Sequence, residues 1–231
     1  KEKAAAITTN CTVISSYQNP EVKEVLETTA KKQKSKIIWV KPLSKSWKLG
    51  IAGEIQRENA AVAKSALETL TKFGWGIDQK TIREGFENAY WPARLQNARW
   101  KDMPLLIDGA HNPSAAKRLA LERNKWSKNE NGVNWILGIQ ANKQGPEIIT
   151  NLVKASDLIW IVPIQGHVSW SRKNLIKVLP KLSKQLIQAN GPDHVLNYLL
   201  STNSWPIPPP VIAGSLYLAG DLITSKALKL E

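Results

Sequence analysis

The stretch "PLLIDGAHNPSAAKRLALERNKW", residues 104–126, decides the fold. It opens as a short, continuous apolar run, the pattern of a strand covered on both faces. The run breaks at Asp108-Gly109, and a helical pattern begins with Pro113 in its first turn. The same strand–turn–helix order recurs downstream. "VNWILGI" (133–139) precedes "GPEIITNLVKA" (145–155), and "DLIWIVPI" (157–164) precedes "RKNLIKVLPKLSKQLIQ" (172–188), which reads as one helix. A further helix, "PDHVLNYLLS" (192–201), leads to a last strand, "PPPVIAGSLYL" (208–218). Short apolar strands alternating with amphipathic helices predict an α/β fold with a doubly wound, Rossmann-like sheet.

Upstream, "TVISSYQ" (12–18) and "KIIWV" (36–40) read as strands around the helix "PEVKEVLETTAKKQ" (20–33), which Asn19 caps. A longer helix is expected over residues 53–73, where Ile55, Val62, Ala63, Ala66, Leu67, Leu70 and Phe73 repeat at helical spacing. Asn59 falls on that same apolar stripe. Asp78 caps "QKTIREGFENAY" (79–90), which Trp91-Pro92 stops. A boundary near residue 98 gives two domains, 1–98 and 99–231.

Charge and cysteine content narrow the class. The net charge of +13 favours anionic partners, yet the lysines are dispersed, and the cluster "KKQKSK" (31–36) suits a solvated helix end. Cys11 is the single cysteine, which excludes an internal disulfide and fits a reducing compartment. "KEKAAAITTN" lacks the apolar core of a signal peptide, and the long uncharged run 195–220 is interrupted by four prolines. A soluble, cytoplasmic protein without membrane association is expected. Most of the ten tryptophans sit inside apolar runs, as core residues do, which argues against a nucleic-acid-binding protein despite the charge.

In open α/β sheets ligands bind beyond the carboxyl ends of the strands, where Asp108 and His111 fall. Asp108 could accept from sugar hydroxyls and His111 donate to a ribose or phosphate oxygen; the alternative is a turn held by Asp108 beside a surface histidine. Arg94, just past Pro92, is either a phosphate clamp or a surface arginine over Trp91. Asn59 is either a buried amide or a reader of an adenine edge. His167 follows the third strand and could face a cleft, whereas His194 reads as an ordinary helix residue. No Cys/His cluster suggests zinc, and Gly74-x-Gly76 lacks the third glycine of a dinucleotide fingerprint.

Five segments, in order, carry a resemblance to the folylpolyglutamate synthase and dihydrofolate synthase family of the Mur ligase superfamily. "EKAAAI" resembles that family's Glu-Lys-Ala-Gly-Ile, and "GEIQRENAAVA" its Gly-x-His-Gln-x-x-Asn-Ala-x-x-Ala helix. "YWPARLQ" resembles Trp-Pro-Gly-Arg-Leu-Glu/Gln, "LLIDGAHNPSAA" resembles Leu-Asp-Gly-Ala-His-Asn-Pro, and "VIAGSLYLAGDL" resembles Thr-Gly-Ser-Leu-Tyr-Leu-x-Gly. "YWPARLQ" and "GSLYLAGDL" favour this branch over the ligases that build cell-wall peptides. Within these segments and nearby, Ile55 replaces the motif histidine, Ala5 the glycine, and Gln144 an aspartate after Lys143.

The resemblance implies an ATP-dependent ligase that adds L-glutamate to a folate or dihydropteroate carboxylate through an acyl phosphate, with Mg2+, as a monomer acting on small molecules. It implies that residues 1–98 are the tail of a P-loop-type ATPase domain and 99–231 a Rossmann-like ligase domain. By position, Asn59 would contact adenine and Arg94 the phosphates. Asp108 and His111 would hold the nucleotide, and His111 would also take part in catalysis. Lys3 matches the lysine carbamylated near magnesium, and no direct metal ligand is expected in this chain. The family's Gly-Thr-Asn-Gly-Lys-Gly-Ser phosphate loop is absent from these 231 residues. Alone they are expected neither to hydrolyse ATP nor to ligate glutamate, and to leave a sheet edge open to association.

Overall fold

The computed structural model describes residues 2–126, 132–202 and 205–231. The chain forms two compact units, Lys1–Tyr90 and Trp91–Glu231. The division falls before the expected boundary near 98, because that position lies inside a strand of the second unit.

In the first unit, β1 (Thr12–Ser16) pairs in parallel with β2 (Lys36–Val40), Thr12 against Lys36. The crossover helix α1 (Pro20–Lys32) starts where Asn19 Oδ1 accepts the Val22 N–H at 2.9 Å and proline takes a first-turn position. α2 (Glu54–Leu70) ends in a 3-10 turn, Thr71–Phe73, that the left-handed Gly74 closes. Asp78 caps α3 (Gln79–Glu87), accepting from Thr81 N–H at 2.6 Å; the helix ends at Asn88, short of Trp91. Neither β1 nor β2 contains a fully buried residue, and among the described residues they pair only with each other. A two-stranded sheet of this kind contributes little stability by itself.

The second unit is built on a seven-stranded sheet. Its strands are β3 (Gln96–Trp100), β4 (Met103–Ile107), β5 (Asn134–Leu137), β6 (Leu158–Ile161), β7 (Leu186–Gln188), β8 (Val211–Ala213) and β9 (Lys229–Leu230), in the order β7-β6-β5-β8-β4-β3-β9. β4 through β8 run parallel, and β3 and β9 add an antiparallel margin. Strand alternation splits the core into two. Ile107, Ile136, Trp160 and Ile212 pack with Val195, Leu199, Leu218 and Leu222 from α7 (Pro192–Ser201) and α8 (Leu216–Thr224). Leu106, Trp135, Leu137, Ile159 and Val211 pack on the other face. There they meet Leu119, Ile148, Ile149 and Leu175 from α4 (Pro113–Trp126), α5 (Gly145–Leu152) and α6 (Arg172–Val178). Helices on both faces make the sheet doubly wound, as the alternation predicts. Each fully buried Leu or Ile contributes about 1.5–3 kcal/mol, so this unit holds most of the molecule's apolar stabilisation.

Three elements depart from the sequence reading. The single helix over 172–188 is α6, a 3-10 turn Pro180–Leu182 and β7, because Pro180 cannot continue a helix. The closing strand stops at Ala213, where Gly214 turns at φ +100° and Ser215 caps α8, its Oγ accepting from Tyr217 N–H at 3.1 Å. β3, with alternating burial but only two apolar residues in "QNARW", carries no continuous apolar signal. Trp135 and Trp160 are buried as expected, whereas Trp39 is half-buried and Trp75 and Trp91 are exposed. No helix among the described residues is long and apolar enough to cross a membrane.

Candidate functional site

The loops that follow β4 and β8 leave the sheet toward opposite faces, since α4 and α8 pack on different cores. Such a switch point opens a crevice at the carboxyl ends of the two strands. Backbone bonds knit the loops together: Asp108 N–H donates to Ile212 O at 3.0 Å, and Gly214 N–H to Ala110 O at 2.9 Å. Asn112 Oδ1 accepts Ala115 N–H at 2.9 Å, so Asn112-Pro113 forms the cap and first residue of α4.

Asp108 is half-buried at the carboxyl end of β4. Its Oδ2 accepts Leu95 N–H at 2.7 Å, and its Oδ1 accepts Ala110 N–H at 2.8 Å. Burial raises its pKa above the usual carboxylate value, against the lowering effect of those two N–H groups, Arg94 and His111. The loop it holds is strained, with Ala93 at φ 55° and Leu95 at φ 44°, on either side of Arg94. Ala93 stands where the family motif has glycine, the residue suited to that conformation. Ala93 is fastened through its N–H to Gln96 Oε1 at 3.0 Å and through its carbonyl to Gly109 N–H at 2.8 Å. A Cβ at Gly109 would overlap Leu216 Cδ2 and lie 3.0 Å from Arg94 Nη1, so glycine here lets the guanidinium approach the loop after β4. His111 Nδ1 lies 2.9 Å from Gly109 O; a carbonyl only accepts, so the proton is on Nδ1 and Nε2 is left for a ligand.

Asn59 is exposed on α2 rather than buried, and its Nδ2 donates to Gln56 Oε1 at 2.9 Å. It lines an apolar cavity of about 210 Å3 with Leu49, Ile51, Ala60, Ala63 and Phe86. An amide at the rim of an apolar slot suits a planar heterocycle with polar edges. Lys3 is exposed in a 3-10 turn, with Nζ 3.2 Å from Glu2 Oε1. Among the described residues no three His, Cys, Asp or Glu side chains come together to hold a metal ion.

Beyond the expected residues, the structure brings Gln140, Ser215 and Tyr217 to the same sheet edge. His167 joins them, its Nδ1 3.1 Å from Gln140 Nε2 and its ring centroid 4.2 Å from that of Tyr217. His194 is exposed on α7. Ser215 had a readable signal, a serine after glycine before an apolar run, which is a helix cap.

A family profile described as "Dihydrofolate synthetase, C-terminal domain" matches residues 92–225, more than half of the chain. The chain belongs to the folylpolyglutamate synthase and dihydrofolate synthetase family. Among its relatives, the folylpolyglutamate synthase of Lacticaseibacillus casei is 30% identical over 73% of this chain and 38% of that protein. The probable dihydrofolate synthetase of Schizosaccharomyces pombe is 28% identical over 78% of this chain and 44% of that protein. The chain thus spans about two-fifths of the length of these folylpolyglutamate and dihydrofolate synthases. Mycobacterium tuberculosis folylpolyglutamate synthase complexed with ADP shares the fold, with a TM-score of 0.80 at 19% identity over 100% of this chain and 59% of that chain. An FPGS–AMPPCP–folate complex gives 0.71 at 20% identity over 97% of this chain and 55% of that one.

Proposed function

We propose that this chain is the nucleotide-clamping part of an ATP-dependent ligase that joins L-glutamate to a folate or dihydropteroate carboxylate. The observation that carries the reading is the fastening of the backbone on both sides of Arg94, Ala93 and Leu95, to the Asp108–His111 loop, with Asp108 holding the strained segment and His111 Nε2 turned away from its own backbone bond. The family membership and the ADP and AMPPCP complexes of the structural relatives support it.

In the reaction the substrate carboxylate takes the γ-phosphoryl group of ATP and ADP leaves. The amine of glutamate then attacks the acyl carbon, and inorganic phosphate departs. Arg94 would spread the charge of the phosphates, which in a site shielded from water stabilises the transferring group far more than in bulk solvent. His111 would present Nε2 to the nucleotide and act in the transfer step. Asp108 would keep both in register, its remaining lone pairs facing a sugar hydroxyl. Asn59 and its apolar slot would take the adenine. Lys3, as a carbamate, would belong to the magnesium environment of the whole enzyme.

Titration of the purified chain with ADP, followed by calorimetry, tests the clamp. Binding by the wild type that weakens about tenfold or more in Arg94→Ala and His111→Ala is expected, the size of a lost charge-assisted hydrogen bond. No ADP binding, or variants that bind like the wild type, would refute it. The chain alone should not turn over ATP, because it has no glycine-rich phosphate loop; glutamate-dependent ATP hydrolysis by the purified chain would overturn that statement.

A further inference from the structure

His167 is held as a residue with a task is held. The segment after β6 folds back on itself: His167 N–H donates to Ile164 O at 3.1 Å across a turn that Gly166 makes at φ 72°. It is also zipped to the segment after β5. Ala141 N–H donates to Val168 O at 2.8 Å, Trp170 N–H to Ile139 O at 2.9 Å, and Trp170 Nε1 to Lys143 O at 3.0 Å. The ring is fixed as well as the backbone. Gln140 Nε2 donates to Nδ1 at 3.1 Å, which places the ring proton on Nε2, and the half-exposed Tyr217 packs against the ring face. The residues that hold the imidazole come from the segments that follow three parallel strands, β5, β6 and β8. All three segments emerge at the sheet edge that carries the Asp108–His111 loop, and β8 lies directly between β5 and β4. A histidine ordered this way, with Nε2–H uncommitted among the described residues, is a preorganised donor.

We propose that His167 is a specificity residue of the crevice, whose Nε2–H donates to a carboxylate of the acidic amino acid that the ligase consumes. Gln140 sets the tautomer and Tyr217 the ring orientation. The inference rests on the ligase reading above. It goes beyond that reading by assigning an amino-acid contact to a residue outside the matched family motifs. A neutral donor of this kind favours a carboxylate over an amide, because its hydrogen bond is stronger to an ionised acceptor.

The test uses the 231-residue chain saturated with ADP, titrated calorimetrically with L-glutamate and L-glutamine. Two variants separate chemistry from packing. His167→Phe keeps a ring against Tyr217 but removes the donor, whereas His167→Gln keeps an N–H donor and removes the ring. The expected result is glutamate binding preferred over glutamine, weakened about tenfold or more in His167→Phe and partly rescued in His167→Gln. ADP affinity should be unchanged in both. If His167→Phe binds glutamate like the wild type while His167→Gln loses it, the role is packing and the proposal fails. If ADP binds but glutamate does not, the proposal fails and the nucleotide reading stands. If ADP itself does not bind, both fail together.

Discussion

Replacing Asp108 by alanine removes the acceptor of two backbone N–H groups, Leu95 at 2.7 Å and Ala110 at 2.8 Å. An N–H left without an acceptor costs about 1–3 kcal/mol when water cannot reach it. Asp108 is only half-buried, so the lower end applies, and the two donors together give about 2 kcal/mol. Relief of the buried carboxylate works in the opposite direction and leaves a net loss of about 1–2 kcal/mol at neutral pH. The pH dependence has a fixed sign. Burial raises the folded pKa of Asp108 above its unfolded value. Its contribution is therefore complete below the ordinary carboxylate pKa and declines as pH rises through the raised folded value. The penalty of Asp108→Ala should accordingly be largest in acid and shrink toward neutrality.

The substitution also releases Leu95, whose left-handed backbone at φ 44° costs about 1–2 kcal/mol and depends on that hydrogen bond. Loop relaxation there displaces Arg94, so ADP affinity should fall about tenfold, the scale of one lost charge-assisted contact. Urea denaturation followed by tryptophan fluorescence from pH about 4 to 8 measures the first effect, across the carboxylate range. Hydrogen exchange at the Leu95 amide and ADP titration measure the second. Asp108→Asn, which keeps one acceptor, should lie between. A penalty that grows with pH, or an unchanged Leu95 exchange rate, would refute the strut assignment.

Three further outcomes follow from other parts of the structure. Asp157 is fully buried and accepts from both Arg123 Nη atoms, from Val133 and Lys154 N–H at 2.8 Å, and from Trp135 Nε1 at 2.9 Å. Burial alone would raise its pKa, but those donors outweigh it and hold the carboxyl low, so its stabilisation is present at neutral pH and lost as pH falls through the folded value. Arg123→Met should cost about 3–5 kcal/mol in urea melts, because it leaves the buried Asp157 carboxylate without its charge partner; a loss under about 1 kcal/mol would contradict the assignment. Gly214→Ala, with φ at 100° and a new Cβ 2.6 Å from Gly138 O, should destabilise by about 2 kcal/mol or more and lower the melting temperature. Asn59→Ala, at an exposed site, should leave the urea midpoint within about 0.5 kcal/mol while weakening ADP binding. A stability loss without an affinity change would place Asn59 in the fold instead.

The parallel core was legible in the sequence because its strands are buried on both faces and read as continuous apolar runs: "LLI", "NWIL", "LIWI", "VIA". The caps Asn19 and Asp78 were legible because capping is local, set within three residues. The short β7 and the polar β3 were not, since both owe their state to neighbours across the sheet: Leu186 to Ile159, and Ala98 to Leu105 and Leu230. The motif residues announced themselves singly, and only the fold could say what each one does. Asp108 became a strut because Leu95, distant in sequence, presents its N–H to it. Asn59, on an apolar stripe and read as buried or base-facing, turned out exposed beside a slot. His167, without a motif of its own, gained a fixed ring because β5, β6 and β8 end side by side. Periodicity and caps are properties of neighbouring residues and are written along the chain. The meeting of loops from non-consecutive strands is a property of sheet order, which tertiary packing alone decides.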